Sequence, residues 1–201
     1  MSSKRTLVMV LAVMALPLIW GCSKPPELEM QKANTSIQAA MTAEAEEYAA
    51  QSLTVARDTL NSAMAMKEEQ DGKFALFRSY GKAKAQFVRA EALAQKSATD
   101  AAAEKERVRQ EVADMLTQTR AALDAAKVAL DAAPVGKGNK ADIALITNDL
   151  LTINAAFDEA RAEFDGGKFK SAKVKVEAVM ARATSITSEI AIAAAKKAGR
   201  K

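Results

Sequence analysis

The chain has 201 residues, and its 29 Lys and Arg against 25 Asp and Glu give a formal net charge of +4. It contains one Cys and no His. This composition excludes an intrachain disulfide, a Cys/His zinc site, His-ligated haem and His-based general acid–base catalysis.

Residues 1–21 have the pattern of an export signal. Lys4 and Arg5 precede the apolar run TLVMVLAVMALPLIW. That run is shorter than the ~20 residues that a membrane-spanning helix needs, and it fits the apolar region of a signal peptide. Removing residues 1–21 deletes two bases and no acids, so the net charge falls from +4 to +2. The lower charge weakens the argument for nucleic-acid binding, and we predict none.

The segment Ile19-Trp20-Gly21-Cys22 resembles the lipobox of bacterial lipoproteins. The resemblance implies that the Cys22 sulfur receives diacylglycerol, that the preceding bond is cut, and that the new amino group receives a fatty acid such as palmitate. Several acyl chains anchor a protein stably, whereas a single chain binds a membrane weakly. Ser23, not Asp, follows the Cys, and the family's sorting rule then favours the outer membrane, facing the periplasm. The alternatives are a free thiol and an uncleaved anchor.

The remaining sequence is rich in Ala and poor in Gly and Pro, which is typical of long helices. Pro25-Pro26 closes a short tether, residues 22–26, and a first helix is predicted from Glu27 to Gln70. Asp71-Gly72 interrupts it. The stripe of this helix is rich in small side chains: Ile37, Met41, Ala45, Tyr48, Ser52, Ala56, Leu60 and Ala63.

A second helical segment is predicted from Lys73 to Ala132, and it completes a long hairpin over residues 27–132. No helix breaker lies between Lys82 and Ala133, so the segment is one helix, or two that meet at a bend near Ser97–Asp100. It begins with an aromatic cluster of Phe74, Phe77, Tyr80 and Phe87. Its later stripe is Ala101, Val108, Val112, Met115, Thr119, Leu123, Ala126 and Leu130.

The clearest pattern lies in residues 141–197, which follow a polar linker at 133–140. Two apolar stripes with steps of three and four residues flank Asp165-Gly166-Gly167, and they predict an antiparallel hairpin with coiled-coil-like packing. The predicted fold is all-α, an elongated antiparallel bundle of about four helices. The stripes are Ile143, Ile146, Leu150, Ile153, Phe157, Ala160 and Phe164, then Phe169, Ala172, Val176, Val179, Ala183, Ile186 and Ile190.

A faint internal repeat aligns residues 80–84 with residues 169–173, and the helices that precede them also align. Three short motifs resemble an Ala-rich, all-helical family of bacterial lipoproteins with no assigned function, over residues 25–97. The motifs are Pro25-Pro26-Glu27-Leu28, Glu47-Tyr48-Ala49 and Tyr80-x-x-Ala83-Lys84.

Four apolar residues flank the first predicted turn: Met64, Met66, Phe74 and Phe77. They are either an exposed patch for a partner or the closure of the bundle tip. We interpret the two methionines as packing residues and not as a copper(I) site. We predict no metal and no cofactor.

The chain ends in a basic tail, residues 198–201, which follows Lys196-Lys197. Basic residues at a helix C-terminus complement the helix dipole, and they also bind anionic headgroups. The final Arg200-Lys201 resembles the end of the murein lipoproteins, whose last lysine is linked to peptidoglycan. Lys201 is therefore a candidate attachment site.

These features predict a lipid-anchored cell-envelope protein with a non-catalytic scaffold or protein-interaction role, and not an enzyme. Its partners would be the membrane, through the N-terminal lipid, and a protein or a second copy of the chain. The alternatives are an envelope spacer tethered to peptidoglycan through Lys201, and a helical adaptor that binds a peptide or an envelope enzyme.

Overall fold

The computed structural model describes residues 24–198, and the side chains of residues 24–195. All regular secondary structure in this range is helical, which confirms the predicted all-α class. Contacts divide the chain into two compact units between Glu104 and Lys105, inside a helix. The helices are α1 (Glu27–Thr42), α2 (Ala45–Tyr48), α3 (Ala50–Asp71), α4 (Gly81–Ala132), α5 (Lys140–Asp165) and α6 (Phe169–Ala198), with a 3₁₀ turn at Ala75–Phe77.

The first unit contains a chain reversal that the sequence analysis missed. One helix from Glu27 to Gln70 was predicted, and this is wrong, because α1 ends at Thr42 and α3 returns antiparallel to it. The Nζ of Lys67, near the end of α3, lies 3.1 Å from a carboxylate oxygen of Glu27, at the start of α1.

The reversal occupies residues 43–49, which contain no Gly, Pro or Asn. Glu44 adopts the left-handed conformation, with φ 59°, and α2 follows as one short turn. An unbroken helix repeats its buried face in steps of three and four residues. Here the buried positions twice advance by five, from Ala40 to Ala45 and from Tyr48 to Leu53.

The first 24 residues of α4 supply the third helix of this unit. The Ser52 hydroxyl donates to Asp100 at 3.3 Å, and Lys84 pairs with Glu29 at 2.8 Å, so α4 lies antiparallel to α3 and parallel to α1. α4 begins at Gly81, not at Lys73, and continues without a break through Ser97–Asp100. The core of the unit includes Ala33, Ile37, Ala40, Tyr48, Leu53, Ala56, Leu60, Ala63, Tyr80, Ala83, Phe87, Ala90 and Ala94.

The second unit contains the remainder of α4 with α5 and α6. Arg182 on α6 pairs with Asp149 on α5, and α5 packs against α6 along the predicted apolar stripes. α4 contributes to the same core, which consists of Leu123, Ala126, Leu130, Ile146, Leu150, Ile153, Phe157, Val179, Ala183, Ile186, Ile190 and Ala193.

The turn between α5 and α6 explains the Gly-Gly pair. Gly167 has φ +79°, a conformation that strains any residue with a Cβ. Its N–H donates to the carbonyl of Phe164 at 2.9 Å, and the N–H of Lys168 donates to the carbonyl of Glu163 at 2.9 Å. These two bonds are those of a Schellman motif, which satisfies the last carbonyls of the helix.

The two units share a plan that agrees with the sequence repeat. In each, the third helix carries a lysine that pairs with a glutamate of the first helix. Lys84 pairs with Glu29 in the first unit, and Lys173 pairs with Glu111 in the second. In the repeat, Lys84 and Lys173 occupy equivalent positions.

The buried hydroxyls of Ser97 and Thr119, on α4, have no hydrogen-bond partner. Burying an unpaired hydroxyl is unfavourable, so we expect Thr119→Val to raise the free energy of unfolding by about 1 kcal/mol. Urea denaturation followed by circular dichroism measures this change. The control is Thr117→Val, since the exposed Thr117 donates to the carbonyl of Ala113 at 3.0 Å. A lower free energy of unfolding in Thr119→Val, without a matching decrease in Thr117→Val, would contradict the expectation.

Candidate interaction surface

An exposed apolar loop, residues 74–77, connects α3 to α4 and is the most distinctive surface of the first unit. Phe74 is 69% exposed, Leu76 54% and Phe77 76%. The two phenyl rings lie 6.3 Å apart, centroid to centroid, at a tilted angle. The two rings therefore point to solvent and do not close the end of the bundle.

The backbone that carries the apolar loop is held by hydrogen bonds. Arg78 donates through Nε to the carbonyl of Lys73 at 2.9 Å and through Nη2 to the carbonyl of Asp71 at 2.8 Å. The N–H of Ser79 donates to the side chain of Gln70 at 3.0 Å. These hydrogen bonds hold the backbone of the loop in place while its apolar side chains extend into solvent.

Asp71 links the backbone of the loop to the start of α1. It accepts a hydrogen bond from the buried Tyr80 hydroxyl and a second from Lys67 at 3.0 Å, and Lys67 also contacts Glu27. The bond from Tyr80, followed by that from Lys67, lowers the pKa of Asp71. The same bond raises the pKa of Tyr80.

These contacts place the start of α1 and the apolar loop at one end of the first unit. Pro26 is buried at the N-cap of α1, where its carbonyl accepts from the N–H of Met30 at 3.0 Å. Lys84 pairs with Glu29 in the first turn. We call this end, which comprises residues 24–29, 67–80 and 84, the tether end.

Asp71 makes the stability of the tether end depend on pH. Because its folded-state pKa lies below the ordinary 3.8, its contribution is complete well above pH 3.8 and is lost as pH falls through the lowered pKa. We expect Asp71→Asn to be less stable than the wild type at neutral pH, and the deficit to shrink below pH 3.8. Urea denaturation at neutral pH and below pH 3.8 measures this deficit in the free energy of unfolding. The control is Asp58→Asn, at an exposed position on the same helix. An equal deficit at both pH values contradicts the expectation.

The structure brings together part of the patch that the sequence predicted. Phe74 and Phe77 are neighbours, while Met64 is exposed and Met66 half-buried near the end of α3. The binding of a partner by this patch stays a prediction. Cys22, the signal peptide and Lys201 lie outside the described residues, so lipidation and peptidoglycan attachment also stay predictions.

The reversal at residues 43–49 contains a further motif from the sequence analysis. Tyr48 is buried there, and burial, reinforced by Glu47 and Glu44, raises its pKa to about 12. A tyrosine with this pKa stays neutral and packs in the core at neutral pH. The Glu47-Tyr48-Ala49 motif therefore contributes to the chain reversal by placing Tyr48 in the core.

Sequence reasoning missed the role of Asn139, which lies in the segment interpreted as a linker. Its side chain is 1% exposed and makes three hydrogen bonds. It accepts from the N–H of Gly136 at 2.8 Å, and it donates to the carbonyls of Pro134 at 2.8 Å and Ala193 at 3.0 Å. Asn139 thus fastens the loop to α6. An Asn directly before a helix is the available signal, but it suggests an N-cap, a bond that this side chain does not make.

Several carboxylates of the described helices are paired with cations. Arg109 and then Gln110 lower the pKa of Glu106 to about 2, and Lys173 lowers the pKa of Glu111. A carboxyl group that acts as a general acid at neutral pH needs a raised pKa. Within residues 24–198, no three His, Cys, Asp or Glu side chains are grouped to hold a metal ion.

No protein family, curated protein or solved structure matches this chain. In the part of the chain that the structure describes, no helix is both long and apolar enough to cross a membrane.

Proposed function

We propose that this chain is a bacterial lipoprotein, anchored in the outer membrane by acyl chains on Cys22 and facing the periplasm. Its helical units then act as a non-catalytic scaffold for contacts with a protein or a second copy. The observation that carries the proposal is the order of basic residues, apolar run and Gly21-Cys22, with Cys22 the only cysteine. Ser23 at the following position favours the outer membrane.

The start of the fold supports this placement of the anchor. α1 begins at Glu27, five residues after Cys22. A chain cut before Cys22 would therefore begin with a short tether and fold directly behind it. The tether contains Pro25, whose carbonyl accepts from the N–H of Glu27 at 3.0 Å.

The use of the charged side chains supports a scaffold role. Glu106, Glu111 and Glu163 have lowered pKa values because each accepts hydrogen bonds from basic or polar neighbours. Such carboxylates stay ionised and stabilise helices and helix contacts. Exposed apolar residues, such as Leu145 and Ile192 beside a shallow groove between α5 and α6, offer surface for protein contacts.

Metabolic labelling with a palmitate analogue tests the anchor. The wild type should incorporate the label, and Cys22→Ser should incorporate none and retain its signal segment. Ser23→Ala is the matched control, because it changes the adjacent residue and leaves the thiol, so it should be labelled and processed. Equal processing of the wild type and Cys22→Ser, with no label in either, contradicts the proposal.

The membrane assignment has its own test. Separation of inner and outer membranes on a density gradient should place the wild type in the outer membrane. Ser23→Asp should move the labelled protein to the inner membrane. A labelled wild type found in the inner membrane would contradict the outer-membrane assignment while leaving the lipid anchor in place.

A further inference from the structure

We propose that the apolar loop, residues 74–77, inserts into the lipid bilayer beside the Cys22 anchor. The proposal rests on the proposed function, since the lipid on Cys22 is what brings the loop to the membrane. The first unit would then bind the bilayer at two points, one covalent and one formed by Phe74, Leu76 and Phe77.

A series of contacts connects the tether to the apolar loop. The tether enters the fold at Glu27, and Glu27 contacts Lys67, which contacts Asp71. The carbonyl of Asp71 accepts from Arg78, the residue that directly follows the apolar loop. This series of contacts places the loop and the tether at the same end of the three-helix unit.

The tether between Cys22 and the fold is short. Cys22 precedes the buried Pro26 by four residues. At a maximum of ~3.6 Å per residue, four residues span about 14 Å at most. A lipid on Cys22 therefore holds the tether end close to the headgroups, and the side chains that extend from this end are the first to meet them.

The tether end exposes several apolar side chains. Phe74, Leu76 and Phe77 are more than half exposed, and Leu28 on the first turn of α1 is exposed at the same end. Apolar side chains bordered by basic residues are typical of protein segments that enter the headgroup region. Lys73 and Arg78 border the loop.

Apolar contact, rather than charge, carries the proposal. Lys73 is paired with Glu69 at 2.8 Å, and Lys84 is paired with Glu29. These carboxylates offset the basic residues of the tether end. Binding of the loop should therefore persist at high salt, which screens contacts to anionic lipids.

Fluorescence quenching tests the insertion. The acylated protein that begins at Cys22, with Phe77→Trp, is reconstituted into vesicles of phosphatidylethanolamine and phosphatidylglycerol that contain a doxyl-labelled phosphatidylcholine. The emission of the parent chain is subtracted. Because interfacial segments enter the bilayer by ~5–10 Å, we expect the doxyl lipid to reduce the emission of the introduced indole about twofold and to leave it quenched at high salt.

Val55→Trp is the matched control. Val55 is exposed on α3, 16 residues before Asp71 and therefore about 24 Å along the helix from Asp71. The doxyl lipid should leave this variant unquenched. Equal quenching of both variants contradicts a specific insertion of the loop.

The two proposals fail in different ways. If Phe77→Trp is acylated and sediments with the vesicles but is not quenched, the loop does not enter the bilayer, while the lipid anchor is confirmed. This result would favour a protein as the partner of the loop. If the chain carries no lipid, both proposals are wrong.

Discussion

Replacing Phe87 by Ala is expected to lower the free energy of unfolding by about 3–5 kcal/mol. Phe87 is completely buried on α4, and the other buried apolar residues of the first unit are mostly alanines. Small side chains on three helices cannot extend to fill the volume of a lost phenyl ring. The cavity therefore adds to the loss of apolar burial.

Phe77→Ala is the matched control, because it removes the same side chain ten residues earlier, where 76% of it is exposed. We expect a change within about 0.5 kcal/mol. Urea denaturation of both variants, followed by circular dichroism, measures the difference. Equal losses would mean that Phe77 is packed in the folded protein, and this would contradict both the fold of the first unit and the exposed loop.

Replacing Asn139 by Ala is expected to lower the free energy of unfolding by about 2–4 kcal/mol, because it removes the side chain that accepts from the N–H of Gly136 and donates to the carbonyls of Pro134 and Ala193. Asn139→Asp should be at least as unstable at neutral pH, since it loses both donors and places a negative charge beside two carbonyl oxygens. The second variant separates the hydrogen bonds from simple packing, because Asp has nearly the same shape.

Asn148→Ala on α5 is the control for this pair, since Asn148 is exposed. Chemical denaturation of the three variants, with hydrogen exchange of the amide of Gly136, measures both the global and the local effect. Unchanged stability in Asn139→Ala and unchanged protection of Gly136 would show that the loop is held by other contacts.

The sequence predicted the α5–α6 pair well because long apolar side chains repeat there in steps of three and four, from Ile146 to Ile190. Burial of these residues dominates the local energetics, so the pattern and the fold agree. Gly166-Gly167 also predicted the turn between α5 and α6, because Gly167 adopts a positive φ that favours glycine.

The reversal at residues 43–49 could not be predicted by the same rule. The turn is formed by Glu44 in a left-handed conformation, without Gly, Pro or Asn. In an Ala-rich stretch, Met41 and Ser52 continue the helical pattern as well as the truly buried Ala40 and Leu53 do. The energetic difference between one long helix and a hairpin lies in contacts between α1, α3 and α4, such as that of Lys67 with Glu27, which are remote in sequence.

The candidate surface was predicted in part for a related reason. Phe74 and Phe77 are visible in the sequence as aromatics near a turn, but their exposure depends on Arg78, Gln70 and Asp71, which hold the loop backbone. Polar side chains with such roles have no periodic signal. The role of Asn139 was missed for the same reason.

The mass of the N-terminal tryptic peptide of the protein purified from membranes shows whether Cys22 carries the membrane anchor. Trypsin does not cut between Lys24 and Pro25, so we expect a peptide of residues 22–32 that begins at Cys22 and carries diacylglycerol and an amide-linked fatty acid. A peptide that begins before Cys22, or one that begins at Cys22 with a free thiol, would contradict this expectation.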